Sequence, residues 1–316
     1  MVPQNSLPGI PLIESPLFER FFQNGEHPPE LIDLARKLRQ NGFATLRFPD
    51  PAFEKRAERI KQDFCHVEHR LQDGWKTQSD VKAFAVNETI LDLLRSLYGR
   101  QPIPFQTLNF PTGTQQHYHS DAVHFSSFPE RFMCGVWIAL EDIHPDAGPL
   151  EYYPGTHRWP IYTYEHLGCH YEPGQKASQD LFHQAWRDLL ESSGIARETF
   201  LAKKGDALIW CANLLHGGAP QLNPARSRWS QVTHYYFEDC AYYTPMLSDP
   251  FRGTIAFRNI ENIATGKPVP NLSNGAVISP HFMQNAKMGQ HQTRQLSPGE
   301  TVRHLVTAAK KRLGLG

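Results

Sequence analysis

The chain has 316 residues, with 32 basic and 32 acidic side chains and a formal net charge of zero, so it lacks the basic surplus of a nucleic-acid binder. Its mean hydropathy is −0.49 and no apolar run approaches roughly 18 residues, which argues against a membrane-spanning helix. The opening MVPQNSLPGIPLIESPLFER has neither a basic leader nor a continuous apolar stretch, and the five cysteines are odd in number and scattered, so a reducing, cytoplasmic setting is expected.

No charge run, Gly/Ser linker or internal repeat divides the sequence, so one domain over 1–316 is expected. It reads as a helical prefix over 1–100, a barrel core over 101–240 with a helical insert at 178–193, and a C-terminal extension over 241–316. In chain order, 16–22 is a short apolar-faced helix. Residues 29–41 carry Leu31, Ile32, Leu34, Ala35 and Leu38 at helical spacing, and Gly42 closes them. A strand follows over 43–48, then helices from 52 to about 71 and over 88–97. From Ile103 the rhythm becomes strand-like: 103–110, 114–120, 132–140, 207–211 and 229–237. FMCGVWIAL at 132–140 is almost uninterruptedly apolar, as in a strand buried on both faces. The insert SQDLFHQAWRDLLESS places Leu181, Phe182, Ala185, Trp186, Leu189 and Leu190 on one helical stripe before Gly194. A last helix is expected near 299–313. The 25 prolines and 22 glycines suit strands and loops, and the fold class is mainly β with helical additions: a small jelly-roll barrel or sandwich with covered faces, open at one mouth.

The residues with chemistry in them are His119-Ser120-Asp121, then His216 far downstream, then Arg228. Two imidazoles and one carboxylate form the facial ligand set of non-haem Fe(II), leaving three positions for co-substrate and O2. On a strand, alternation puts His119 and Asp121 on one side and Ser120 on the other, with His117 also on the metal side. In GDALIWCANLLHGGAP a turn and a strand lead to His216, and Gly217 and Gly218 remove side chains where a co-substrate would approach. Arg228 begins the strand RWSQVTHY and shares a face with Ser230, so its guanidinium suits a bidentate clamp on a dicarboxylate such as 2-oxoglutarate. Arg226, in the turn NPARS, is expected to face solvent. A buried hydrogen-bonded trio is the competing reading of His119, Asp121 and His216.

Taken together, HSD, GPLEYYPGTHR, GDALIWCANLLHGG and RWSQVTHYYF resemble the phytanoyl-CoA dioxygenase family, with NGFATLRF similar to its opening strand. The resemblance runs from about Gly42 to about Phe237. It implies a double-stranded β-helix (jelly-roll, cupin-like), with His119, Asp121 and His216 as iron ligands and Arg228 on the far carboxylate of 2-oxoglutarate. It also implies Trp137 against the co-substrate, with core packing as the alternative, and Asn109 as a co-substrate-contacting amide. His157, in the family turn PGTHR, is expected to be structural. The implied activity is that of an Fe(II)/2-oxoglutarate-dependent dioxygenase. It would use O2 to oxidise, in the simplest case hydroxylate, a C–H bond of a small-molecule metabolite, releasing succinate and CO2. Asp121 fills the place that a halogenase leaves open for chloride, which disfavours halogenation.

Two other readings compete. A zinc hydrolase would use His117-Tyr118-His119-Ser120-Asp121, but Ala122 stands where its last histidine belongs and Arg228 is left unexplained. A catalytically inactive barrel would act as a binding protein. His124, Phe125, Tyr162 and Tyr164 are candidates for the barrel mouth, with no charge code that names a substrate. The stretch from about Pro250 lies outside the resemblance and is expected to be a lid or partner contact.

Overall fold

The computed structural model describes residues 5–23, 27–171 and 179–279, so the helix expected at 299–313 lies outside the described residues. The described residues form six α-helices: α1 (Phe18–Phe21), α2 (Pro29–Asn41), α3 (Phe53–Asp63), α4 (Ser79–Ala85), α5 (Glu88–Tyr98) and α6 (Gln179–Ser193). Helix α2 starts with proline at its first turn and stops where Gly42 takes the left-handed conformation at φ 84°. Helix α3 ends at Asp63 rather than near Leu71, because Phe64 turns into the core and the following Cys-His-Val run contains weak helix formers. No helix among the described residues is long and apolar enough to cross a membrane.

The strands, in order, are β1 (Phe43–Arg47), β2 (Leu71–Gln72), β3 (Pro102–Phe110), β4 (Ser126–Phe128), β5 (Met133–Ala139), β6 (Leu150–Tyr152), β7 (Glu198–Phe200), β8 (Asp206–Cys211), β9 (His216–Gly218), β10 (Ser230–Phe237) and β11 (Ala241–Tyr243). A large sheet runs β1-β8-β5-β10-β3-β2 with antiparallel neighbours throughout, and a small one runs β7-β6-β9. Strand β4 pairs with β11, and the C-terminal stretch adds two short hairpins, β12 (Ile260–Asn262) with β13 (Lys267–Val269) and β14 (Leu272–Ser273) with β15 (Ala276–Val277). This is the double-stranded β-helix, with helices on the outer face of the large sheet.

Alternation along the strands explains both layers. Cys134, Val136 and Ile138 of β5 and Ala207, Ile209 and Cys211 of β8 point to the helices and join the core made with Ala35, Leu38, Phe84 and Leu94. Trp137, Ala139, Leu208, Trp210 and Val232 point the other way and meet Tyr152 and Leu214 from the small-sheet side. Each such aliphatic side chain contributes about 1.5–3 kcal/mol by leaving water. Strand β5 is therefore buried at every residue, and Cys134 sits opposite Cys211 as a reduced core pair. On α6 the stripe is narrower than the sequence suggests. Phe182, Trp186 and Leu190 are buried against Tyr164, Leu215 and Met246, while Leu181 points outward.

Candidate active site

Backbone pairing brings the first two imidazoles together. His119 N donates to His216 O at 2.9 Å and His216 N donates to His119 O at 3.1 Å, one antiparallel bridge that extends β9 beyond its partner β6. The two rings lie 4.5 Å apart between centroids. The expected strand over 114–120 is absent: His119 is a single-residue bridge and Asp121 opens a 3-10 turn, Asp121–Val123. Strand alternation therefore does not align His119 with Asp121; a bend does. Ser120 holds the bend. Its hydroxyl donates to Asn213 Oδ1 at 2.8 Å and accepts from Ala122 N, while Ala122 N also reaches Ala212 O at 3.0 Å.

Donor atoms of His119, Asp121 and His216 lie within 4.8 Å of one another. Both Nε2 atoms stand 3.8 Å from the Asp121 carboxylate, too far for a hydrogen bond. His119 Nδ1 lies 2.8 Å from His117 O and His216 Nδ1 lies 3.0 Å from Leu214 O. A carbonyl only accepts, so each Nδ1 carries a proton and Nε2 is left as the ligand atom of each ring, the arrangement that a metal ligand needs. Burial and the neighbouring His216 push the His119 pKa down, which keeps that ring neutral. Burial would raise the Asp121 pKa, but His216, His234, His119 and the Trp210 N–H outweigh it and hold the carboxyl below its ordinary value. The two imidazoles and an ionised carboxylate are thus gathered as a donor set for a divalent cation.

A cavity of about 1350 Å³ opens over this cluster. Arg228 lines it from just ahead of β10, anchored by its N–H to Pro111 O at 2.7 Å. The residue is 3% exposed, and its guanidinium makes no side-chain hydrogen bond or ion pair among the described residues and rests between Phe110 (5.7 Å) and Trp137 (5.9 Å). Burial pulls its pKa down to about 10, so it stays cationic at neutral pH. Ser230 Oγ and Trp137 Nε1 are also buried without partners. Ser230 pairs in register with Phe110 and Ala139 and so shares their face. Trp137 both lines the cavity and packs edge-on against Phe200. An orphaned buried cation with two orphaned donors beside it, next to a three-donor cluster, fits a metal-chelating dicarboxylate.

Some of the other expectations need correction and some hold. Asn109 does not reach the cavity: it lies on the helix-facing side of β3, bonded to Gln231 Oε1 at 3.3 Å and next to Gly74, whereas Leu108 and Phe110 face inward. Gly217 and Gly218 leave room for the chain itself, because added Cβ atoms would meet Gln116 O at 2.8 Å and Thr114 Oγ1 at 2.9 Å. His124 and Phe125 line the mouth, but Tyr162 and Tyr164 do not, and Tyr164 is buried against α6. His117 lies at the rim with its ring 5.1 Å from His183 of α6, outside the donor cluster. Arg226 is exposed. His157 is buried with Nε2 3.2 Å from Arg39 O, below Gly42, in a structural position. The C-terminal stretch contributes Thr244, Leu247, Ala256, Phe257, Arg258 and Asn259 to the cavity wall.

Three residues were not singled out from the sequence. Trp210 Nε1 donates to Asp121 Oδ2 at 2.9 Å, and His234 Nε2 stands 3.6 Å from the same oxygen while its Nδ1 lies 3.0 Å from Gln106 Oε1. Gly135 makes room for the Trp210 ring, which an added Cβ would meet at 2.1 Å. The signal was present as alternation: His234 follows Arg228, Ser230 and Val232 at steps of two, and Trp210 follows Leu208.

Comparison with solved structures supports the architecture. The non-haem α-ketoglutarate-dependent epimerase SnoN from nogalamycin biosynthesis superposes with a TM-score of 0.56 at 17% identity, covering 81% of this chain and 98% of that one. The carbocyclase SnoK from the same biosynthesis gives a TM-score of 0.54 at 15% identity, covering 69% and 87%. EctD from S. alaskensis, solved with 2-oxoglutarate and 5-hydroxyectoine, gives 0.52 at 15% identity, covering 71% and 81%. At these identities the likeness establishes the fold. No curated protein sequence matches the chain. The sequence profile of phytanoyl-CoA dioxygenase (PhyH) matches residues 32–229, and the chain belongs to that family of non-haem Fe(II)/2-oxoglutarate-dependent enzymes.

Proposed function

We propose that the chain hydroxylates a C–H bond of a small molecule, with His119, Asp121 and His216 holding Fe(II) and Arg228 holding 2-oxoglutarate. The observation that carries this reading is the buried, unpaired Arg228 in the same cavity as the three-donor cluster. Left alone, a desolvated cation costs several kcal/mol, so its place in the cavity wall calls for an anion there. The bound Fe(II)/2-oxoglutarate pair would supply the oxidant for C–H cleavage, with O2 consumed and succinate and CO2 released.

The chain's own residues do the positioning. Backbone carbonyls of His117 and Leu214 lock the two imidazole tautomers, and Trp210 engages Asp121 Oδ2, leaving Oδ1 without a hydrogen-bond donor. Arg228, with Ser230 and Trp137 beside it, would take the far carboxylate of the co-substrate, and Leu108, Phe110 and Val232 line that region with apolar surface that excludes water. The cavity exceeds the roughly 300–1,000 Å³ of ordinary ligand clefts, which leaves space for a second small molecule. A zinc hydrolase reading loses its first histidine, since the His117 ring faces His183 and not the cluster.

The test is product mass after aerobic incubation of the Fe(II)- and 2-oxoglutarate-loaded protein with a metabolite library, screened by succinate release. Gain of one oxygen atom supports hydroxylation. Loss of two hydrogens, or a rearranged product of unchanged mass, overturns that outcome while keeping the oxygenase class, and no 2-oxoglutarate turnover with any compound overturns both.

A further inference from the structure

We infer that Arg258 is the receptor for a carboxylate on the substrate, so that the substrate is a carboxylic acid; this rests on the oxygenase reading above. Arg258 lies beyond the region shared with the family, which ends at residue 229, yet it lines the same cavity as the donor cluster. Its guanidinium sits 4.7 Å over the Phe125 ring. That ring is 5.1 Å from His234, whose Nε2 is 3.6 Å from Asp121 Oδ2. A group held by Arg258 would thus be a short chain of contacts away from the reacting centre.

Among the described residues the cation has no counter-ion. Several half-buried arginines meet acids, as Arg131 meets Glu14 and as Arg56 and Arg59 meet Asp80, whereas Arg258, like Arg228, makes no ion pair among the described residues. Its hydrogen bonds to described residues run through Nη1, which donates to Thr244 Oγ1 at 3.0 Å and reaches His124 O at 3.5 Å. Among the described residues Nε is buried with no partner, and no hydrogen bond engages Nη2. Nε and Nη2 form one edge of the planar guanidinium, two parallel N–H donors spaced to grip both oxygens of a carboxylate. The stack on Phe125 and the tether to Thr244 fix that edge in place, so little entropy is lost when a ligand docks. Asn259, exposed on the same wall, adds an amide beside it.

Arg228 and Arg258 divide the work by surroundings. Arg228 is enclosed by Phe110 and Trp137, deep in the apolar end that suits a small co-substrate, while Arg258 is half-exposed where the mouth is built by the C-terminal stretch. A single two-donor edge matches a planar carboxylate better than a phosphate, whose tetrahedral oxygens favour more donors than this edge offers.

The experiment uses protein loaded anaerobically with Fe(II) and saturating 2-oxoglutarate, and measures dissociation constants by ligand-observed NMR for three matched probes: hexanoate, hexanamide and hexyl phosphate. Hexanoate should bind about tenfold or more tightly than hexanamide, and Arg258→Met should erase that preference while 2-oxoglutarate affinity stays within about twofold. Equal binding of acid and amide to the wild-type protein, tighter binding of the phosphate, or a preference retained in Arg258→Met would each overturn the inference. Loss of 2-oxoglutarate binding in Arg258→Met would overturn it too, by moving Arg258 to the co-substrate. Failure of the wild-type protein to load Fe(II) and 2-oxoglutarate at all would instead refute the oxygenase reading, and it is read on the same samples before any probe is added.

Discussion

Replacing Arg228 by methionine should separate stability from co-substrate binding in opposite directions. In the free protein Arg228 is 3% exposed and unpaired among the described residues, and the fall of its pKa from 12.5 to about 10 corresponds to roughly 3 kcal/mol of uncompensated desolvation. Methionine fills similar volume between Phe110 and Trp137 without the charge, so the ligand-free variant should be as stable as wild type or more so, by about 1–3 kcal/mol. Binding should move the other way. Loss of a buried charge-assisted pair costs on the order of 2–5 kcal/mol, about 30-fold to several-thousand-fold in the dissociation constant of 2-oxoglutarate. The assay is thermal unfolding with Fe(II), with and without 2-oxoglutarate at about 100 times the wild-type dissociation constant. Wild type should gain about 2.7 kcal/mol, roughly 4 °C for a chain of this size, and Arg228→Met less than about 0.9 kcal/mol, under about 2 °C. The exposed Arg226, replaced in the same way, should behave as wild type. A ligand-free Arg228→Met protein that unfolds several degrees early yet keeps its full response to 2-oxoglutarate would show that Arg228 is structural and refute the reasoning.

Trp210→Phe keeps the ring's packing but removes the N–H on Asp121 Oδ2, so Fe(II) affinity should fall about 10- to 100-fold with little change in melting temperature; unchanged affinity would remove Trp210 from the site. Gly135→Ala drives a methyl group into the Trp210 ring and should cost about 1–3 kcal/mol of stability as well as Fe(II) affinity, and a variant as stable as wild type would show that the ring can yield. Burial lowers the His157 pKa from 6.5 to about 4, so between those values the unfolded chain binds more protons. The stability this histidine contributes is full above about pH 6.5 and is lost as pH falls towards 4. Wild type should lose about 2 kcal/mol more than His157→Gln between pH 7.5 and pH 5 in chemical denaturation, and parallel pH profiles would contradict that.

The two layers of the barrel were legible because strand alternation and helical spacing are local. FMCGVWIAL shows its double burial in the sequence, and Gly42 marks the end of α2. The three donor residues were legible as types, yet the reason they converge was not. His119 reaches His216 through a long-range backbone bridge, and Asp121 is turned inward by Ser120 and Asn213, contacts that no local pattern encodes. Asn109 was misplaced by half a strand period, since a shift of one residue on β3 moves a side chain from the cavity to the helices. Strands as short as β6, β7 and β9, three residues each, carry too little alternation to stand out. Arg258 was missed because its neighbours Phe125 and Thr244 are distant or irregular in sequence, so only the folded chain reveals its unpaired edge.

The central claim is that His119, Asp121 and His216 hold one Fe(II) on which 2-oxoglutarate depends. Anaerobic equilibrium binding of Fe(II) and 2-oxoglutarate to wild type and to His119→Ala, Asp121→Ala and His216→Ala tests it directly, with circular dichroism as the check on folding. Wild type should bind one Fe(II) and, only with the metal present, one 2-oxoglutarate, while each folded variant should lose both. A folded His216→Ala protein that binds Fe(II) and 2-oxoglutarate as wild type does would contradict the account.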